Sequence, residues 1–164
     1  MKITRHLFFL LFTVSFLNAI GQAINAGFNV GLFPTQNNTY SCGINLEYRP
    51  KNAFFSLNTD PFILFNKRDL LFSEPIYLKF VLGKKFRICP TIGGFLRSNR
   101  RYGWLVGLQL EYVIKDKFIL FSKNELYSDY WQDKWYNHFG GSTIYINNSK
   151  LILMSVGIKM RLNT

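Results

Sequence analysis

Several things are scarce in this chain, and each scarcity excludes a class of protein. Beyond residue 17 no segment approaches 18 consecutive apolar residues. A spanning helix needs about 20, so no helical membrane protein is expected, although the mean hydropathy is close to neutral at +0.03. Histidine is nearly absent: His138 is the only one beyond residue 6. No histidine cluster and no metal-ligand spacing can form. There is no nucleotide-binding glycine motif, since Gly93-Gly94 sits within an alternating run and reads as a bulge or a bend. No metal or cofactor is therefore expected. Acidic residues are also few, nine against 20 Lys+Arg, for a net charge of +11.

What is present begins with an export pattern. Lys2 and Arg5 precede an eleven-residue, almost unbroken apolar run from Leu7 to Leu17, and Gly21-Gln22-Ala23 places small residues at a peptidase site. The pattern predicts a cleavable signal peptide over residues 1–23, read by the Sec pathway, and one domain over residues 24–164. Without Lys2 and Arg5 the remainder has 18 cations against nine acids, a net charge of +9. That balance points to an anionic partner, phospholipid or lipopolysaccharide phosphate, and export argues against nucleic acid.

The remainder alternates with period two, the mark of a strand with two unlike faces. In Ile24 to Phe33, the residues Ile24, Ala26, Phe28, Val30 and Leu32 oppose Asn25, Gly27, Asn29 and Gly31. Tyr40 to Arg49, Pro75 to Leu82, Phe86 to Leu96, Tyr102 to Ile114 and Leu151 to Leu162 repeat the pattern. A strand from Ala53 is expected to degrade at Asp60-Pro61, where proline removes a ladder hydrogen bond. Phe118 to Tyr127 is read as a strand whose facing is open, because Phe118-Ile119-Leu120-Phe121 is apolar on both sides. These make eight strands, most near the 9–11 residues a tilted membrane strand needs. Cys42 and Cys89 fall on non-adjacent strands and opposite faces, so no disulfide is expected between them.

Connections after the second, fourth and sixth strands are tight: Pro50-Lys51-Asn52, Gly83-Lys84-Lys85 and Lys115-Asp116-Lys117. The alternate connections are longer, ending with Ser128 to Lys150, which reads as an aromatic-rich surface loop. Short periplasmic turns and longer outer loops are the parity of bacterial outer-membrane barrels. The polar faces carry glycine, Asn, Ser and isolated charges, which suit a narrow lumen. The other face carries aligned aliphatic residues, with Tyr and Trp near strand ends. The expected fold is all-β: a closed, eight-stranded, antiparallel, up-and-down transmembrane β-barrel.

In this pattern the chain resembles the small outer-membrane barrels typified by OmpX and the OmpA transmembrane domain. The resemblance runs from Ile24 to Leu162 and implies location in the cell outer membrane of a Gram-negative bacterium. Implied partners are lipopolysaccharide outside, phospholipid inside and the barrel-assembly machinery. In one departure, Met160-Arg161-Leu162-Asn163-Thr164 stands where such barrels end in an aromatic residue.

The expected role is structural or surface-binding, with the bore closed by side chains and no catalytic residue. Asp129, Asp133, His138 and Ser142 are the residue types of a lipid-modifying enzyme such as PagP, but they share no motif with it. A soluble lipocalin-like carrier, with the faces reversed, is the other alternative. Arg87, Lys159 and Arg161 are expected on the lumen face, pairing with Glu47 and Glu111. Arg97, Arg100 and Arg101 are expected at the outer rim, where guanidinium groups suit lipopolysaccharide phosphate. A further collar of Arg49, Lys51, Lys84, Lys85, Lys115 and Lys117 is expected at the periplasmic end.

Overall fold

The alternation is realised as strands from end to end. The computed structural model describes residues 23–35, 39–65, 70–136 and 142–162, of which 132–136 and 142–145 as backbone alone. Apart from Ala23, the expected signal peptide lies outside the described residues. The strands are β1 (Ala23–Phe33), β2 (Thr39–Arg49), β3 (Phe55–Thr59), β4 (Phe62–Phe65), β5 (Leu70–Phe80), β6 (Phe86–Arg97), β7 (Tyr102–Ile114), β8 (Phe118–Tyr136) and β9 (Ser142–Arg161).

Each strand pairs antiparallel with its neighbours, and β1 pairs with both β2 and β9, so the sheet closes. Both β3 and β4 lie between β2 and β5 and form two halves of one stave. The barrel therefore has eight staves. A lateral row leaving β1 at Asn25 passes Glu47, Asn58, Tyr77, Gly93, Leu105, Tyr127 and Leu151. By the β1–β9 register it returns beside Thr35, a stagger of ten residues. Such a stagger tilts the strands and leaves an interior that side chains fill.

Two expectations change. The third stave does not end at Asp60-Pro61: pairing resumes at Phe62 in an unchanged register on both sides. Pro61 lacks an N–H, but its carbonyl accepts from the Ile44 amide at 3.0 Å, so the break stays local. Ser128 to Lys150 is not a loop, because β8 and β9 continue in register as far as Tyr136 opposite Ser142. The pairing of β7 with β8 stops at Tyr130, so the rest of β8 and its partner form a two-stranded ribbon beyond the wall.

The facing of β8 is also settled. Ile119, Phe121, Lys123, Glu125 and Tyr127 are buried inside, while Phe118, Leu120 and Asn124 are exposed outside. The turn between β7 and β8 is tight as expected. Lys115 and Asp116 both adopt left-handed backbone, φ 50° and 57°, as a two-residue hairpin turn of type I′ requires.

Candidate functional site: the barrel interior and its two ends

The strand period places charge inside and hydrocarbon outside. Phe28, Val30, Ile44, Leu46, Ile76, Ile92, Leu110 and Val156 are all exposed on the wall, whereas Glu47, Lys79, Gln109, Glu111, Lys123, Glu125 and Lys159 are buried within it. Glycine on the inner face makes room for this. A Cβ at Gly27 would stand 2.1 Å from the Ile158 carbonyl oxygen, and one at Gly103 would stand 1.8 Å from that of Ser128.

The buried charges form layers. Nearest the end that carries Ala23 and Arg161, the Lys79 ammonium lies 2.8 Å from Glu47 and 2.6 Å from Glu111. The Lys159 ammonium donates to Glu111 at 2.7 Å and also to Glu47. Arg87 reaches the other Glu111 oxygen at 3.4 Å, and Gln109 donates to Glu111 at 2.8 Å. Each carboxylate thus bridges two cations or more, the arrangement that offsets the cost of taking charge out of water.

A second layer centres on Asp60, which accepts from Lys123, from Asn45 and, at 2.7 Å, from the Tyr77 hydroxyl. Lys123 also lies 3.4 Å from Glu125, which accepts from the Tyr127 hydroxyl at 3.1 Å. Above these polar layers Phe33, Phe62, Leu64, Phe95, Leu105, Tyr127, Leu151 and Leu153 form an apolar plug. Its rings meet edge to face, Phe95 and Tyr127 at 5.0 Å. Beyond the plug, Arg97 donates to Asp129.

Lys79, Arg87, Arg97, Lys123 and Lys159 balance Glu47, Asp60, Glu111, Glu125 and Asp129 one for one. This lattice therefore contributes nothing to the chain's net charge of +11. An apolar-lined carrier would need the reverse faces; this interior is a filled charge lattice under a hydrophobic plug. Hydrocarbon outside and compensated charge inside is the division a lipid bilayer imposes on a strand wall.

No protein-family model matches the chain, and no curated protein matches its sequence. Solved structures do match. A de novo designed transmembrane β-barrel aligns with a TM-score of 0.62 at 12% identity, covering 87% of this chain and 97% of its own. The crystal structure of Neisserial surface protein A aligns with a TM-score of 0.58, also at 12% identity and with the same coverage. A second designed barrel, TMB2.3, aligns with a TM-score of 0.57. The chain has the fold of a small eight-stranded outer-membrane β-barrel. At this identity the likeness is one of fold.

The residues expected to carry function divide unevenly in this barrel. Glu47, Arg87, Glu111 and Lys159 come together in the lumen as expected. Arg161 does not join them: among the described residues it has no carboxylate within 4 Å, and its Nε is buried without a partner. Lys79 and the layer around Asp60, Lys123 and Glu125 are additions that sequence reading missed.

Arg97 requires a correction. It follows the inward parity of Arg87, Cys89, Thr91 and Phe95 along β6, so it is buried on Asp129 rather than facing outward at the rim. Arg100 and Arg101 do lie at that end. Arg100 is exposed with φ 62°. The Arg101 guanidinium stacks 4.3 Å over the Trp131 ring and lies 3.8 Å from Asp129.

Asp129, one member of the conceivable catalytic group, is thus committed to arginine inside the barrel. His138 and the side chains of Asp133 and Ser142 lie outside the described residues. Cys42 and Cys89 are unpaired, one exposed and one buried.

Proposed function

We propose that this chain is an outer-membrane barrel of a Gram-negative bacterium with a structural or surface-binding role, non-enzymatic, with its bore closed by side chains. The observation that carries the reading is the filled interior. Among the described residues two charge layers and an aromatic plug stack across the bore, which supports a closed pore and puts the working parts at the barrel's two ends and its outer surfaces.

On this reading the end bearing Ala23 and Arg161 faces the periplasm, and the β8–β9 ribbon stands on the cell surface. The ribbon supports a binding role because among the described residues β7 pairs with β8 only as far as Tyr130, and a two-stranded ribbon standing beyond the wall is a form that pairs readily with another chain. Arg100 and Arg101 lie at the base of the ribbon, where lipopolysaccharide phosphate would meet them. The wall meets lipid, and export and the barrel-assembly machinery deliver the chain there.

Conductance tests the reading. Reconstituted into planar bilayers at 1 M KCl, the protein is expected to leave the membrane at its background current, without stepwise openings. Sustained porin-like steps, present with this chain and absent with empty detergent, would contradict a closed bore.

A further inference from the structure

The end of the barrel that carries Arg161 holds an open cup. Arg49, Lys84, Lys85, Arg87, Lys115 and Arg161 line a cup of about 680 Å³ together with Gly83, Val113 and Asp116. Its walls therefore hold six cations and one carboxylate. By strand parity Arg49, Arg87, Val113 and Arg161 point into the bore, while Lys84, Lys85, Lys115 and Asp116 stand exposed in the turns at its mouth. The Lys85 ammonium lies 5.6 Å over the Tyr112 ring.

The carboxylates beneath the cup offset its charge only in part. Glu47 is taken by Lys79 and Lys159, and Glu111 by Lys79, Lys159 and Arg87. Neither Arg49 nor Arg161 has an acid within 4 Å among the described residues. Arg49 is repelled by Arg87 and Arg161 and attracted at longer range by Glu47 and Glu111.

Two guanidinium groups are nonetheless held in place by the backbone. Arg49 Nε donates to the Ala53 carbonyl at 3.0 Å, and Arg87 Nε to the Lys84 carbonyl at 2.9 Å. These bonds leave most of the terminal N–H groups free. The buried Nε of Arg161 has no partner. Three like charges gathered in a concave site with donors to spare call for an anion that accepts several charge-assisted hydrogen bonds.

We propose that this cup is a binding site for a multiply charged phosphate anion. Tetrahedral oxygens satisfy convergent arginines bidentately, which a lone carboxylate or chloride cannot do at three residues together. The same chemistry is offered by a water-borne phosphorylated anion and by a phosphorylated lipid headgroup reaching over the rim at Lys84 and Lys115. The axial position of the cup favours the first source. The proposal rests on the barrel geometry and is independent of what the opposite end does.

The probe is tripolyphosphate, titrated calorimetrically into the full chain in zwitterionic nanodiscs at low salt. One saturable site is expected, weakening as salt rises. Arg49→Gln and Arg161→Gln should each weaken it about tenfold or more, the effect of losing a hydrogen bond to a charged group. The pair Lys84→Gln/Lys115→Gln, at exposed turn positions that do not govern folding, should weaken it several-fold. Asp116→Asn removes the only acid and should tighten it. Arg100→Gln/Arg101→Gln, at the other end, should leave it unchanged.

Heat-modifiable gel migration confirms that each variant is folded. Absence of saturable binding, or equal affinity in the folded cup variants, would overturn the proposal. So would loss of binding confined to the Arg100/Arg101 variant, which would place the anion at the opposite rim. Phosphatidylglycerol in the discs separates the sources: a headgroup occupant competes with tripolyphosphate, whereas a water-borne one leaves its affinity as before.

Discussion

Glu111→Gln is expected to destabilise the folded barrel by about 3–5 kcal/mol, the cost of leaving buried cations without their counter-charge. The substitution keeps volume and shape, so the loss reports charge alone. Glu111 is contacted by Lys79, Lys159, Arg87 and Gln109, and its removal leaves Glu47 as the single acid for three cations. The measurement is urea-induced unfolding of the reconstituted protein, with the shift read at constant slope. Adding Lys79→Met removes one stranded cation and should recover part of the loss, because members of one network are not additive. A change below about 1 kcal/mol in the single variant would mean that the layer is wetter and less coupled than its geometry implies.

Ile44→Arg tests the opposite face and should cost about 2–4 kcal/mol, the penalty for arginine near the bilayer midplane on a barrel wall. Ile44 lies halfway along β2, is 47% exposed and pairs with Phe28, itself 67% exposed. On a water-facing wall an exposed isoleucine is replaced by arginine at almost no cost. The two environments therefore predict different outcomes for one substitution. Lys51→Ala, in an exposed turn at the rim, is the matching control and should change stability by less than about 0.5 kcal/mol. Equal, small effects at both positions would mean that the wall is solvated.

The sequence made most of the fold legible because one physical rule governs it. In β1, β2, β6, β7 and the last part of β9, polar or small residues alternate with apolar ones over most of the strand, so strand, facing and approximate ends follow together. The rule gave no answer at Phe118 to Phe121, where Ile119 and Phe121 are apolar residues of the lumen. The answer lay a few residues on, since Lys123, Glu125 and Asp129 share one parity and all need partners inside. Arg97 was readable in the same way, as the next inward position after Phe95.

The ribbon was missed for a different reason. Once the β8–β9 hairpin leaves the wall, no burial pattern distinguishes a strand pair from a loop.

The charge lattice was legible only in part, again for a definite reason. Parity says which residues point inward, but depth along the axis depends on every register around the barrel. Lys159 and Glu47 are 112 residues apart in sequence, and they meet only because β1 closes the barrel by pairing with both β2 and β9. Lys79 lies on the polar face of its alternating run, which does not reveal that it meets Glu47. Asp60 sat beside a proline that appeared to end its strand. The cup has the same origin, because its cations come from three strands and two turns that meet only when the barrel closes.

The most direct test of the transmembrane barrel is lipid contact along β8, where the sequence alone left the facing open. Single cysteines at positions 118 to 127, in a Cys42→Ser/Cys89→Ala background, are labelled with an environment-sensitive fluorophore and reconstituted into vesicles of brominated lipid. Quenching should alternate: strong at 118, 120, 122, 124 and 126, and weak at 119, 121, 123, 125 and 127. Quenching absent at every position, uniform along the strand, or strong on the odd-numbered set would contradict a barrel that turns its hydrocarbon to the membrane and its charge to the bore.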